Sequence, residues 1–158
     1  MQTQVMFYVL PENTNNEINV DAHLFQACLH ASVCYRNNQR VYIHTENQTS
    51  AHAIDEMLWS FEPDSFIPHN LVGEGPKQGA PVEIGFQTPQ NRRPFLINLA
   101  SQIPSFAGNY SHIIDFVPPE SSLKQQARER FKQYRQAGFS IETQQVESSV
   151  PQTSTEQQ

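Results

Sequence analysis

The chain has 158 residues, of which 37% are hydrophobic, and this is enough for one domain with a single core. No apolar run approaches the roughly 20 residues that a membrane helix needs, and the first ten residues lack the pattern of a signal peptide. We therefore expect a cytoplasmic protein without a membrane segment. The net charge of −6 argues against a protein that wraps nucleic acid unaided.

The first half of the sequence alternates short apolar runs with helical patterns. Residues 5–10 predict a buried strand, and Asp21 can cap a helix that reaches about residue 37. Residues 40–45 (RVYIHT) predict a second strand, and Ser50 opens a second helix that stops before Pro63. This order of strand and helix predicts an α/β fold with a largely parallel sheet and helices on its faces.

The second half contains three further apolar runs and a final helix. Residues 65–70 lead into a Gly/Pro loop, GEGPKQGAP, and strands are predicted at 82–86, 95–99 and 112–117. Ser121 or Ser122 can cap the final helix, Gly138 suits its C-terminal end, and residues 139–143 are a candidate edge strand. From residue 144 Gln, Ser and Thr dominate, so we predict one domain at 1–143 and a disordered tail at 144–158.

The final helix carries a concentration of positive charge. Five of the ten Lys and Arg lie between residues 120 and 138 beside only two Glu, so this segment is +3 and the remainder is −9. With Leu123 at 0°, helical geometry places a core stripe within about 40° and a basic stripe at about 100° to 180°. The core stripe comprises Ala127, Tyr134 and Ala137, the basic stripe comprises Lys124, Arg135, Arg128 and Lys132, and Phe131 lies between them near 80°.

This arrangement of charge and aromatic side chain suits an acidic peptide. Aligned ammonium and guanidinium groups hold carboxylates, while an adjoining aromatic ring helps to line an apolar pocket. A solvated basic face, with Phe131 simply in the core, is an equally good interpretation of the same residues.

A second candidate surface surrounds the single tryptophan. Trp59 lies about 140° from Ile54 on the second predicted helix, off its core face, and a tryptophan in that position is a common interface anchor. Phe66 and Pro68 can extend the same apolar patch. The alternative is that the loop at residues 63–70 of the same chain covers Trp59.

The sequence gives no positive support for catalysis or cofactor binding. The segment from Gly73 to Gly79 superficially resembles a phosphate loop, but it lacks the Gly-Lys-Ser/Thr ending and contains Pro76. Cys28 and Cys34, six residues apart in a predicted helix, are expected to be reduced core cysteines. The six histidines show no metal-binding spacing and no catalytic signature is present, so we expect no metal, no cofactor and no enzymatic activity.

With these residues in view, the chain closely resembles the chi subunit family of bacterial DNA polymerase III. Two stretches carry the resemblance, SFIPHNLVGEGPKQGAPVEIGF at 65–86 and DFVPPESSLKQQARERFKQYRQAGFSI at 115–141. The segments FYVL, RVYIHTE and DEMLW agree in order and spacing, so the resemblance covers about residues 4–142. It implies a three-layer α/β/α Rossmann-like domain without a nucleotide site, which works as a non-catalytic accessory subunit of the clamp-loader complex.

The resemblance also implies two protein partners, and a replisome-associated protein that meets DNA only indirectly. Family members bind the psi subunit, which tethers them to the clamp loader, and the acidic, Phe-terminated C-terminal tail of single-stranded DNA-binding protein (SSB). The family usually carries Tyr where Phe131 stands, which loses a hydroxyl hydrogen bond and keeps the ring. The psi side of the family also binds a helicase in some relatives. The positions that match the SSB-tail site are Lys124, Arg128, Phe131 and Lys132, with Val117 and Leu123 nearby, and those that match the psi side are Trp59, Phe66, Pro68 and His69.

Two other functions remain open from the sequence. A direct single-stranded nucleic-acid-binding protein would use the same basic helix, although a single basic stripe on a chain of net charge −6 disfavours it. A nucleotide-dependent enzyme ranks third, and a thermal-shift assay with ATP or NAD tests for it.

Overall fold

The computed structural model describes residues 2–12, 22–61, 66–76, 78–89 and 91–146. Within these residues it contains a seven-stranded sheet and three α-helices. A short 3-10 helix, Ala107–Asn109, lies between the fifth and sixth strands. The elements in chain order are β1 Gln4–Val9, α1 Ala22–Arg36, β2 Val41–His44, α2 Gln48–Phe61, β3 His69–Leu71, β4 Val82–Gly85, β5 Phe95–Asn98, β6 His112–Val117, α3 Ser121–Gln136 and β7 Ser140–Gln145.

The strands form one sheet in the order β3-β4-β2-β5-β6-β1-β7, and every neighbouring pair is parallel. The predicted largely parallel sheet is therefore confirmed. The sequence did not predict β3, because its three residues lie at the sheet edge and lack an apolar run. The predicted edge strand after Gly138 is present as β7, which pairs with β1.

Helices cover both faces of the sheet, which confirms the three-layer α/β/α architecture. On one face α1 and α2 bury residues such as Cys28 and Ile54 in the larger core cluster. On the other face α3 contributes Tyr134 to a second cluster that includes Phe7 of β1. Successive residues of a strand point to opposite faces, so Ile113 of β6 belongs to the α3 side and Ile114 to the α1 side.

Two predicted helix caps are wrong, and the acceptors lie one or more residues earlier. α2 begins at Gln48, and the Asn47 side chain accepts hydrogen bonds from the Ser50 amide and hydroxyl at 2.9 and 3.1 Å. α3 is capped by Glu120, whose carboxylate accepts from the amides of Ser122 and Leu123 at 3.1 and 2.8 Å. A glutamate carboxylate reaches these amides and also suits the positive end of the helix dipole.

The C-terminal end of the domain matches the prediction in part. Gly138 follows α3 with φ +85°, the left-handed conformation that ends many helices. Ala137 is exposed, so its predicted place in the core stripe is wrong. β7 continues to Gln145, two residues beyond the predicted domain boundary at 143. Asp21 and residues 147–158 lie outside the described residues.

The described helices include none that is long and apolar enough to cross a membrane. Cys28 and Cys34 are buried and unpaired, as predicted for core cysteines. Burial raises the pKa of the Cys28 thiol to about 12 and that of Cys34 to about 11, so both remain protonated at neutral pH.

Candidate functional site

A buried ion pair fixes α3 on the sheet. The Arg130 guanidinium donates from Nε to both Asp115 oxygens at 3.2 and 3.0 Å, and from Nη2 to Asp115 Oδ1 at 3.0 Å. It also donates to the backbone carbonyls of Ser101 and Phe116 at 3.2 and 3.1 Å. Asp115 is completely buried in the middle of β6, so Arg130 compensates a charge that would otherwise be unpaired.

Tyr134 completes this buried network one helical turn after Arg130. Its hydroxyl donates to Asp115 Oδ2 at 2.9 Å and accepts from the Asn98 amide at 3.3 Å. Burial, reinforced by the neighbouring Asp115 carboxylate, raises the pKa of the Tyr134 phenol well above its ordinary value. The phenol therefore stays a proton donor, and α3 is held to β5 and β6 through directed polar contacts as well as apolar packing.

The burial of Arg130 reduces the number of exposed positive charges on α3 below the five that the sequence contains. Arg130 is one of the five cations of the final helix, but its guanidinium is buried and paired with the Asp115 carboxylate. Lys132 lies 3.6 Å from Glu129 in an exposed pair, a geometry that contributes little energy in water. Lys124, Arg128 and Arg135 form no ion pair with any carboxylate in the part of the chain that the structure describes.

Phe131 and Val117 adjoin these cations as half-buried apolar groups. Both pack against the core cluster on the α3 side of the sheet, and the Phe131 ring lies 5.5 Å from that of Phe7. Phe131 therefore occupies the border between core and basic stripe that helical geometry predicts. Arg128 is exposed, and Lys124 is half-buried one turn before it. We call Lys124, Arg128, Lys132, Phe131 and Val117 the basic surface.

Leu123 lies on a different side of α3 from this basic surface. It lines a cavity of about 140 Å³ at the carboxyl ends of β5 and β6, together with Asn98, Asp115 and Arg130. Folds of this class bind ligands in such a crevice. Here Arg130 and Asp115 bond to each other, and the volume is below the roughly 300 Å³ of a typical small-molecule site.

The glycine-rich loop after β3 is built as a structural loop. The buried Arg93 side chain donates hydrogen bonds to the carbonyl oxygens of Ala80 and Pro81 at 2.8 and 2.9 Å. It also donates to the Glu83 carboxylate at 3.2 Å. The Asn70 side chain accepts from the Ala80 amide at 2.6 Å. These contacts hold the C-terminal end of the loop against Asn70 and Arg93.

A second surface is formed where the end of α2 meets the start of β3. Trp59 is 60% exposed and Phe66 is 63% exposed, and their ring centroids lie 5.6 Å apart. His69 packs edge-on against Trp59 with a centroid distance of 4.7 Å, and Pro68 is half-buried between Phe66 and His69 in sequence. Phe66 and His69 contact Trp59 without covering it, so the alternative of a covered tryptophan finds no support in residues 66–70, and residues 63–65 of that loop lie outside the described residues. We call Trp59, Phe66, Pro68 and His69 the aromatic surface.

The structure adds Asp55 to this aromatic surface, a residue that sequence reasoning missed. Its carboxylate Oδ1 lies 3.2 Å from His69 Nε2, while His69 Nδ1 lies 2.8 Å from the Ile67 carbonyl. The sequence spacing could have indicated Asp55, because it precedes Trp59 by four residues and therefore lies on the same side of α2. The direction of the Nε2–H bond is poorly aligned with the carboxylate, so the two groups lie close together without forming a hydrogen bond.

A third exposed apolar stripe lies on α1, and the sequence did not predict it. Phe25 is 50% exposed and Val33 is 45% exposed, and the Phe25 ring lies 5.1 Å from Phe61 of α2. None of these surfaces carries metal-binding chemistry, since the described residues contain no group of three or more His, Cys, Asp or Glu that could hold an ion.

Comparison with protein families matches residues 1–142 to the family described as DNA polymerase III chi subunit, HolC. The DNA polymerase III subunit chi of Escherichia coli K12 is 43% identical over 139 residues, covering 87% of this chain and 94% of the relative. That of Haemophilus influenzae is 41% identical over 151 residues, covering 92% and 99%. That of Pseudomonas aeruginosa is 36% identical over 141 residues, covering 89% and 94%.

Among solved structures, the crystal structure of T4 UvsW is similar in fold, with a TM-score of 0.54 at 12% identity. The match covers 92% of this chain and 41% of UvsW, so it describes a shared architecture only. The curated relatives are named as chi subunits of DNA polymerase III. With one family matched over nearly the whole described chain and three relatives above 30% identity, this chain belongs to the DNA polymerase III chi subunit family.

Proposed function

We propose that this chain bridges two proteins of the replication machinery. In this proposal the aromatic surface binds the psi subunit of the clamp loader, and the basic surface binds the C-terminal tail of SSB. The observation that carries the proposal is a pair of cations, Lys124 and Arg128, that form no ion pair with the described carboxylates and lie beside the half-buried Phe131 on an otherwise acidic chain. The protein would thus act in the bacterial cytoplasm, associated with the replisome, and would meet DNA through SSB.

The chemistry of the basic surface fits a peptide with carboxylates and a terminal phenylalanine. Arg128 provides a planar fork that matches a carboxylate, and Lys124 and Lys132 add positive charge along the same side of α3. Phe131 and Val117 supply apolar contacts for the terminal ring. Leu123 faces the neighbouring cavity, so we expect it to contribute less than Val117.

The expected affinity is weak, because the contacts are few and exposed. A short peptide buries little area and must be ordered on binding, so we expect a Kd of roughly micromolar for an isolated tail peptide. Exposed charges are screened over about 8–10 Å at physiological ionic strength, so the affinity should fall as salt is raised.

A labelled SSB tail peptide tests this part of the proposal. Arg128→Ala should weaken binding by about tenfold, since it removes a charge-assisted contact to a carboxylate. Arg92→Ala is the matched control, because Arg92 is also an exposed arginine and lies in the loop before β5. Equal affinities of the wild type and Arg128→Ala would refute the assignment of the basic surface.

The aromatic surface requires a separate experiment with psi. Phe66→Ala and Trp59→Ala should abolish co-purification with psi, because each removes a ring that is more than half exposed. Phe25→Ala is a matched control, since Phe25 is 50% exposed on α1. The Arg128→Ala variant should still co-purify with psi, because Arg128 lies on α3 and not on the aromatic surface. Loss of psi in Arg128→Ala alone would contradict the assignment of two surfaces, and competition by a helicase would place that partner on the same face.

A direct single-stranded DNA-binding protein is the alternative from the sequence, and the structure gives it less support. Arg130, one of the five cations of α3, is buried against Asp115 and is not available to bind DNA, and the chain as a whole has a net charge of −6. A gel shift of bare single-stranded DNA without SSB distinguishes the two functions, because only the direct binder would retard the DNA.

A further inference from the structure

The outer edge of the sheet at β7 is open in the part of the chain that the structure describes. β7 pairs with β1 over all six of its residues, and no described strand lies beyond it. The Ser140 amide donates to the Thr3 carbonyl at 3.0 Å, and the Val146 amide donates to the Val9 carbonyl at 2.9 Å. Alternate residues of a parallel strand direct their N–H and C=O groups to the same neighbour. The residues whose backbone groups point away from β1 are therefore Ile141, Thr143 and Gln145.

β7 lacks the features that commonly protect an exposed strand edge from pairing. Its sequence, SIETQQ, contains no proline and no lysine, and its ladder with β1 runs over these six residues without a bulge. Its one charged residue, Glu142, lies on the α1 face of the sheet, because the neighbouring Ile141 packs into the core cluster under α3. An extended chain could therefore hydrogen-bond to the outward N–H and C=O groups as an additional strand.

The cations of α3 lie on the side of the helix that faces this edge. The Phe131 ring packs against Phe7 of β1, and Phe7 is in register with Thr143 of β7. Arg128 lies within about 60° of Phe131 around the helix axis, whereas the opposite side of α3 lines the cavity at the ends of β5 and β6. Arg135 is exposed and follows Arg128 by seven residues, so it lies on the same side about 10 Å further along. A row of positive charge therefore runs beside the open edge.

This row of charge favours an acidic occupant over a second copy of the chain. Lys124, Arg128 and Arg135 form no ion pair with any carboxylate of the described residues. If β7 paired with its own copy about a two-fold axis, both α3 helices would lie on the same face of the joined sheet. The two rows of cations would then face each other across the junction and repel. An extended peptide with carboxylates instead brings the opposite charge to this row.

We infer that the outer edge of β7 takes an extended acidic peptide as an eighth strand, with the carboxylates of the peptide beside the cations of α3. The inference rests on the proposed function, because it assigns a second binding element to the SSB tail. The basic surface holds the end of the peptide, and the β7 edge holds the residues that precede it. Arg135 thereby becomes a binding residue for this upstream segment.

The register of the sheet sets the direction of the added strand. Val117 of β6 and Gln145 of β7 are both in register with Val9 of β1, so the basic surface lies at the carboxyl end of β7. α3 connects two parallel strands and runs antiparallel to them, which places Arg135 near the start of β7. A peptide that ends beside Val117 therefore lies parallel to β7, and about six extended residues span the strand.

Hydrogen exchange of individual amides, followed by NMR in the full chain, tests this pairing. In the free chain the amides of Thr143 and Gln145 should exchange about tenfold or more faster than those of Glu142 and Gln144, which face β1. A saturating SSB tail peptide of about ten residues, longer than β7, should slow the two outward amides about tenfold or more. Exchange at Glu142 and Gln144 should stay unchanged, so these two amides are the internal control.

Two N-methylated peptides provide a second test that leaves the chain unaltered. A strand at a sheet edge donates from every second amide, so methylation of one alternate set should weaken binding about threefold or more. Methylation of the other set should leave the Kd nearly unchanged, and equal effects of the two peptides would overturn the added strand. Arg135→Ala should also weaken binding of the unmodified peptide about threefold, whereas the control Arg92→Ala should not.

The exchange experiment separates the failure of this inference from the failure of the proposed function. Binding of the peptide with unchanged exchange at Thr143 and Gln145 overturns the added strand and leaves the proposed function intact. Slow exchange at these amides in the free chain also overturns it, and a dependence on protein concentration would then identify a second copy as the occupant. Failure of the peptide to bind at all overturns the proposed function of the basic surface, and this inference with it.

Discussion

Replacing Arg130 by methionine should destabilise the fold far more than the same replacement two residues earlier. Arg130→Met removes three contacts to Asp115 and leaves the carboxylate, completely buried in β6, with the Phe116 amide and the Tyr134 hydroxyl as hydrogen-bond donors. Arg128→Met removes an exposed cation that forms no ion pair with the described carboxylates. Both substitutions keep a long unbranched side chain with good helix propensity, so the local helix contribution is matched.

The expected difference follows from the cost of a buried charge without its partner. Removal of one member of a buried pair costs about 3–5 kcal/mol, whereas surface substitutions stay within about 0.5 kcal/mol. A domain of this size has a free energy of unfolding of about 5–15 kcal/mol, so Arg130→Met removes a large part of it. The double variant Asp115→Asn with Arg130→Met should recover part of the loss, because an amide is not a buried charge.

Urea unfolding followed by far-UV circular dichroism measures these free energies by linear extrapolation. A loss below about 1 kcal/mol in Arg130→Met, or equal losses in the two single variants, would contradict the role given to the buried pair. Arg128→Met should meanwhile lose affinity for the SSB tail peptide at unchanged stability. The pair of variants therefore separates the structural cation of α3 from the proposed binding cation.

Three further predictions concern the helix cap, the thiols and the glycine-rich loop. Glu120→Ala should cost about 1 kcal/mol in urea unfolding, whereas Ser121→Ala should cost less than about 0.5 kcal/mol, because Glu120 holds the first amides of α3. Cys28 and Cys34 should resist a thiol reagent at pH 8 in the folded chain and react on unfolding, since raised pKa values of about 12 and 11 leave little thiolate; the rate should increase with pH, and rapid labelling would contradict their burial. Arg93→Met should speed proteolytic cleavage in the loop after β3, and an unchanged rate would show that the loop does not depend on its arginine.

The sheet was predictable because its strands are buried on both faces. Parallel strands of this kind appear as short continuous apolar runs, and HIIDFV predicted β6 with its exact observed bounds, His112–Val117. β3 carries no such run, and its three residues are defined by pairing with β4. Because β3 is only three residues long and half-buried, its local pattern does not distinguish it from a loop.

The burial of Arg130 was harder to predict from the sequence, although two features of the sequence indicated it. Asp115 interrupts the apolar run of β6, and a carboxylate buried in a strand requires a partner. On the helical wheel Arg130 falls at about 340°, on the core face with Leu123 and Tyr134 rather than on the basic stripe. Counting charge along the segment treated all five cations alike, and only the face on which each lies separates the structural one from the others.

The aromatic surface illustrates a different limit of sequence reasoning. Helical geometry placed Trp59 off the core face, and its 60% exposure agrees with that placement. The contact between Asp55 and His69 joins α2 to β3 across a connection of several residues, and no local period predicts such a pairing. Resemblance drew attention to His69, but the carboxylate beside it became apparent only from the packing of the two elements.

The arrangement of the two surfaces bears on how a bridge of this kind works. The aromatic surface lies at the β3 edge beside α2, whereas the basic surface lies on α3, on the opposite face of the sheet. Four strand spacings separate β3 from β6, which is about 19 Å, and the intervening β2 is buried throughout. Coupling between two sites uses a segment that switches between two conformations, whereas the sheet that separates these surfaces is packed by buried residues on both faces. Occupancy of one proposed surface should therefore leave the affinity of the other unchanged. A weak, salt-sensitive contact with SSB then suffices, because tethering through psi supplies the effective concentration that the contact itself lacks.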